Sequence, residues 1–140
     1  MKKYKIGYTA GVFDMFHVGH LNILKKAKEH CDYLIVGVNT DEFVQSYKNK
    51  TPVIPFNERI EIIKAIKYVD RVVVQDTNDK LSMWEKYHFD AVFIGDDWKH
   101  TKVYIDNEEK LKSVGCDVVY FEYTKGISST MLRELIKNMS

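Results

Sequence analysis

The residues best equipped for chemistry are His17 and His20, set around Val18 and Gly19 in the run Gly11-Val12-Phe13-Asp14-Met15-Phe16-His17-Val18-Gly19-His20. The run follows an apolar stretch, Tyr4 to Tyr8, that reads as a first strand. It leads into an amphipathic segment, Leu21 to Glu29, that reads as a helix. A strand-to-helix junction leaves backbone N–H groups without partners and carries the positive end of the helix dipole, so it is a place to hold phosphate. At i, i+3 spacing both imidazoles can face the same way, and their N–H donors would neutralise charge developing on a phosphoryl group in flight. Gly19 lets another group approach the backbone closely. Two surface histidines at a helix start, or a metal pair, are the other readings. Zinc would want a third ligand, and no other His or Cys stands at fitting spacing.

Such a pair needs a scaffold, and the rest of the chain alternates strand-like and helix-like segments. Tyr33 to Val38, Arg71 to Val74, Ala91 to Ile94 and Val118 to Phe121 are short apolar runs that fit strands buried on both faces. Between them, Glu58 to Tyr68 carries Ile62, Ile63 and Ile66 at helical spacing behind an Asn57 cap. Lys80 to His88 and Glu108 to Val114 are shorter helical segments, and a last helix runs from about Ser129 to Asn138. Alternation of this kind predicts a single Rossmann-like, doubly wound α/β domain over residues 1–140, with about five parallel strands joined by right-handed crossovers. Gln45 to Phe56, with Lys48, Lys50, Pro52 and Pro55 and little apolar periodicity, is the candidate mobile loop.

In this architecture ligands bind where the strands end. Gly11, Asp14, His17 and His20 follow the first strand, and Asn39, Thr40 and Asp41 the second. Gly95-Asp96-Asp97-Trp98-Lys99 follow the fourth, and Tyr123 to Thr130 the fifth. Imidazoles, carboxylates, an indole, glycines and hydroxyls together suit a nucleotide and a phosphate better than an apolar ligand. Ser128-Ser129-Thr130 reads both as a cap and as a second anion site, and the same atoms serve either. Asp97 and Trp98 are either a turn with a packed ring or a carboxylate and a face for a base. Lys48 and Lys50 are either solvated or a lid bringing positive charge to a polyphosphate. Arg59, near the start of its helix, opposes the dipole and needs compensation that a bound phosphate would provide.

Composition narrows the function classes. With 140 residues, 45% hydrophobic and 29% charged, the chain suits one ordinary globular domain. A net charge of +1 without a long basic run argues against a nucleic-acid partner. No apolar run is long enough for a membrane span, and no secretory leader is recognisable after Met1. Cys31 and Cys116 read as thiols in a reducing cytoplasm.

Gly11-Val12-Phe13-Asp14 with His17-Val18-Gly19-His20 resembles the HxGH signature of the nucleotidyltransferase superfamily, and Gly126-Ile127-Ser128-Ser129-Thr130 resembles its second signature. With Gly95-Asp96-Asp97-Trp98 and so short a chain, the resemblance is to the glycerol-3-phosphate cytidylyltransferase group and spans nearly the whole sequence. It implies transfer of a cytidylyl group from CTP, carried with Mg²⁺, to a small alcohol phosphate. The resemblance makes sn-glycerol 3-phosphate the first choice of acceptor, with a homodimer as the assembly. It gives His17 and His20 the α-phosphate, Asp14 the orientation of their loop, and Gly11, Val12, Phe13 and Gly19 contacts to the nucleotide. Lys48, Lys50 and Arg59 match basic positions that grip triphosphate or acceptor. Asp97 and Trp98 match positions near the cytosine, and Thr124, Gly126, Ile127, Ser128 and Ser129 the second phosphate motif. Asp41, Lys67 and Asp70 match family positions as well, the first two on the substrate side.

Three departures matter. Tyr123 stands where the family has an arginine, with Lys125 or Arg133 as candidate replacements. Val12 replaces a threonine, and Lys67 a common arginine. Another acceptor, ATP in place of CTP, and a nucleotide-binding module without catalysis are the rival readings.

Overall fold

The computed structural model describes residues 3–95, 102–121 and 134–138. Five strands, β1 (Tyr4–Gly11), β2 (Cys31–Asn39), β3 (Arg71–Gln75), β4 (Ala91–Gly95) and β5 (Asp117–Phe121), form one parallel sheet in the order β3-β2-β1-β4-β5. Helices α1 (Val18–Glu29), α2 (Asp41–Lys48), α3 (Phe56–Lys64), α4 (Lys80–Tyr87) and α5 (Lys102–Ser113) lie between them. The chain builds outward from β1 to β3 and then returns to the other side of β1. The strand order therefore reverses between β1 and β4, and a crevice opens at their carboxyl ends.

The strands read as continuous apolar runs because each face meets a different core. In β2, Leu34, Val36 and Val38 point into a cluster with Leu24 of α1 and Ile63 of α3. Ile35 points the other way, into a cluster with Tyr8, Met83 of α4 and Leu111 of α5. Each fully buried aliphatic side chain of this kind contributes roughly 1.5–3 kcal/mol. Cys31 and Cys116 are free thiols, both buried. No helix among the described residues is long and apolar enough to cross a membrane.

The expected elements differ from the observed ones mainly between β2 and β3. The stretch from Gln45 to Phe56 is not one loop. Thr40 caps α2 by accepting the Phe43 N–H at 3.1 Å, Val44 is buried, and the helix runs to Lys48 before Asn49 turns the chain at φ 55°. Asn57 is not a cap. Helix α3 starts after Pro55 with no side-chain cap bond and ends at Lys64 rather than Tyr68. Residues 65–69 follow as tight turns, with Ile66 N bonded to Ile63 O and Val69 N to Ile66 O. Asp70 lies just before β3, at the opposite end of the strands from the histidines, where its carboxylate accepts the Leu34 N–H at 2.8 Å and pairs with Lys28. Helix α5 is longer than the expected Glu108 to Val114 segment. The expected terminal helix is described only over 134–138.

Candidate functional site

Helix α1 begins in a way that fixes both imidazoles. His17 is the N-cap, and its Nδ1 accepts the Gly19 N–H at 3.0 Å. His20 reaches back, its Nδ1 accepting the His17 N–H at 3.2 Å. This is a reciprocal capping box built from histidines, and it settles the tautomers. A ring nitrogen that accepts from a backbone N–H cannot carry the proton, so in both neutral rings the proton is on Nε2. The rings stack at 3.9 Å between centroids. His17 Nε2 is buried and has no partner among the described residues. Burial lowers the pKa of His17, and that of His20 to about 4, with the neighbouring His17 adding to the effect on His20 and Asp14 opposing it. At neutral pH the pair is two uncharged imidazoles presenting N–H donors.

Asp14 organises the approach to this pair. It is buried, and its two carboxylate oxygens accept the Val53 and Ile54 N–H groups, each at 2.8 Å. The histidine loop and the segment before α3 are thereby tied together, so residues 53–54 are not free to act as a lid. Arg59 makes the second tie. Its side chain is fully buried. Nε donates to Ile54 O at 2.9 Å, Nη1 to Val12 O at 2.7 Å and Asn39 O at 2.8 Å, and Nη2 to Asp41 Oδ1 at 2.6 Å. Asp41 Oδ2 also accepts the Phe56 N–H at 3.2 Å, at the start of α3. The compensation that a cation near a helix start requires comes from Asp41 and three carbonyls, not from a ligand phosphate. Arg59 and Asp41 thus clasp the ends of β1 and β2 to α3.

The structure brings Gly11, Val12, Phe13, Asp14, His17, Gly19 and His20 together at the end of β1. Lys48 and Lys50 flank the left-handed Asn49 just beyond α2, both exposed, with the Lys48 ammonium 5.8 Å from the Tyr47 ring. Lys67 is exposed in the turns that lead into the start of β3, away from the histidine pair within this chain. Asp97, Trp98, Thr124, Gly126, Ile127, Ser128 and Ser129 lie outside the described residues.

Lys80 enters the sequence reading only as the start of a helical segment, and Asn39 only by its place after the second strand. Lys80, the first residue of α4, is 6% exposed, and its ammonium lies 5.8 Å from the Tyr8 ring with no hydrogen bond or carboxylate at Nζ among the described residues. Burial lowers its pKa to about 8. Asn39, opposite Gln75 in the sheet register, donates from Nδ2 to the Tyr47 hydroxyl at 3.0 Å, while its buried Oδ1 has no partner among the described residues. On the same face, the Tyr8 hydroxyl donates to Gln75 Oε1. Lys80, like Arg59, is a cation near a helix start, and the same conflict with the helix dipole marks it in the sequence.

The sequence profile of the cytidylyltransferase-like family matches residues 8–135. The chain belongs to that family. This cytidylyltransferase-like protein is 38% identical to a glycerol-3-phosphate cytidylyltransferase of Bacillus spizizenii over 127 residues, covering 90% of this chain and 92% of the relative. It is 40% identical to an FAD synthase of Pyrococcus abyssi over 111 residues, covering 79% and 74%. Among solved structures, a lipopolysaccharide core biosynthesis protein of Thermoplasma volcanium superposes with a TM-score of 0.72 at 27% identity, covering 89% of this chain and 99% of that one. The protein is a nucleotidyltransferase, and its relatives carry the same fold to different substrates.

Proposed function

We propose that this nucleotidyltransferase moves the cytidylyl group of CTP to sn-glycerol 3-phosphate, giving CDP-glycerol and pyrophosphate. The observation that carries this reading is the histidine pair at the carboxyl end of β1, two neutral imidazoles with their protons on Nε2 and one Nε2 buried without a partner among the described residues. A phosphate oxygen of the acceptor attacks the α-phosphorus in line, the bond to the β-phosphate breaks, and pyrophosphate leaves. The attacking dianion needs no base. What the protein supplies is alignment and donors for the charge on the α-phosphate oxygens, which His17 and His20 provide.

Gly11, Val12 and Phe13 line the same turn and would meet the nucleotide through their backbones, with Gly19 leaving its backbone open to approach. Lys48 and Lys50 would reach the triphosphate. Mg²⁺ enters on the triphosphate as part of the CTP substrate. Among the described residues there is no group of three His, Cys, Asp or Glu that could cage it, so phosphate oxygens and water would hold it.

The acceptor is argued from two sides. The Bacillus spizizenii relative, matched over 90% of this chain, is named for glycerol 3-phosphate. On the α4 face, among the described residues, no anion pairs with the Lys80 ammonium, which lies over the Tyr8 ring, and no donor meets Asn39 Oδ1. A phosphomonoester that also carries a hydroxyl supplies both. The FAD synthase relative supports a second reading, nucleotidyl transfer to a flavin phosphate. The homodimer belongs to the first reading and is checked by light scattering.

Pyrophosphate release decides between them, measured with CTP and with ATP against glycerol 3-phosphate, other alcohol phosphates and FMN. The proposal expects turnover with CTP and glycerol 3-phosphate well above every other pairing. Preference for ATP and FMN would overturn it.

A further inference from the structure

The loop that carries the histidines is bent in an unusual way. Phe13 and Met15 both hold left-handed backbone, with φ of 54° and 49°. Side chains other than glycine rarely adopt this region, and such positions persist where the surroundings overdetermine them, often at functional sites. At Phe13 the surroundings are explicit. Its ring is buried and folded back over Gly11, where an added Cβ would come within 3.1–3.4 Å of three of its atoms. The same ring meets His20 edge to face, with centroids 5.6 Å apart and planes at 76°. Phe16 lies 5.3 Å from His20, and His17 stacks on it at 3.9 Å.

We propose that Phe13 is a positioning residue for nucleotidyl transfer. Its left-handed backbone sets the ring as a wall behind His20. That wall fixes the imidazole in the orientation whose Nδ1 meets the His17 N–H, and so keeps the His20 proton on Nε2. The bare Gly11 is the other half of the device, because even a Cβ there would crowd the ring and require it to give by a few tenths of an ångström. The inference rests on the reading that His20 donates to the transferring phosphate.

The charged and titratable groups facing His20 are His17, which disfavours a second positive charge, and Asp14, which favours one. Burial outweighs Asp14, and Phe13 and Phe16 are the rings packed against His20. Taking the wall away should therefore let water reach the imidazole and raise its pKa.

The test uses the full chain without ligand, as Phe13→Ala and Phe13→Leu. The His20 ring nitrogens are followed by NMR across pH, and kcat and KM for CTP are measured in parallel. In Phe13→Ala the His20 midpoint should rise by about one pH unit or more, with the two tautomers mixing. Turnover should fall roughly tenfold while KM for CTP changes far less. Leucine, which restores apolar bulk, should recover part of both. If Phe13→Ala does not fold, the leucine variant carries the test alone, with smaller shifts in the same directions. An unmoved His20 in every folded variant overturns the proposal, whether or not turnover falls. The underlying reading fails separately, if His20→Ala keeps wild-type turnover, and the response of the His20 ring to Phe13 stays measurable in that case.

Discussion

Arg59 and Lys80 are both buried cations near the start of a helix, and they are treated in opposite ways. Arg59 has four hydrogen bonds, one of them to the Asp41 carboxylate. Lys80 has the face of Tyr8 at 5.8 Å and, among the described residues, no hydrogen bond at its ammonium. A buried charge whose donors are met ties elements together, and losing it strands the groups it met. A buried charge with nothing to meet weakens the fold at neutral pH, and an anionic ligand would be its missing partner. Arg59 belongs to the architecture of the site, whereas Lys80 belongs, on the proposed function, to what the site binds.

The contrast can be broken most sharply at Arg59. Arg59→Met would leave Asp41 and three carbonyls without their donor and should cost roughly 3–5 kcal/mol, read as a fall in the urea midpoint. Arg59→Lys should recover little, because an ammonium cannot reproduce the fork. A midpoint unchanged in both variants would remove the distinction.

Lys80→Met should move the other way. The ordinary lysine pKa of 10.5 is lowered to about 8 in the fold. Between those values the unfolded chain holds a proton that the folded chain has shed, so the stability of the natural protein rises with pH across that window. The gain from methionine, roughly 3 kcal/mol, should be full below pH 8 and gone above 10.5. Thermal melts at pH 7 and 10 check this, and the acceptor KM should rise in the same variant. A destabilised Lys80→Met would mean the ammonium is held by the fold after all.

The His20 imidazole gives a smaller effect on the acid side. Its pKa is lowered from 6.5 to about 4, so the unfolded state takes up the proton first as pH falls. Stability should be flat above pH 6.5 and decline by roughly 2 kcal/mol on the way to pH 4, less than for Lys80 because the His20 ring is only partly buried and solvent screens it. His20→Gln should flatten that slope in urea titrations at pH 7, 5 and 4. Least of all should be Lys28→Met, which breaks a partly exposed ion pair with Asp70 at the far end of the strands. A loss under about 1 kcal/mol is expected in thermal melts.

The sequence made the sheet legible and the ties across it illegible, for a physical reason. Apolar runs such as Tyr33 to Val38 report burial on both faces, and five of them alternating with helical segments leave few topologies. The histidine pair was legible because its spacing and its place after β1 are local. The Asp14 carboxylate meets backbone amides 39 and 40 residues away, and Arg59 reaches Val12 across 47, so nothing in the local pattern announces either. Arg59 was correctly marked as needing compensation, but its partner came from α2. That helix has two turns and a single buried residue, Val44, which is too little for periodicity to show.

The central claim is that the histidine pair acts as neutral Nε2–H donors at the α-phosphate, and His17→Asn tests it most directly. Asparagine keeps an oxygen to cap the Gly19 N–H but has nothing at the position of Nε2. Turnover with CTP and glycerol 3-phosphate should fall by roughly a hundredfold or more, with stability within about 1 kcal/mol of the natural protein. Turnover near the natural rate in a folded His17→Asn enzyme would contradict the account.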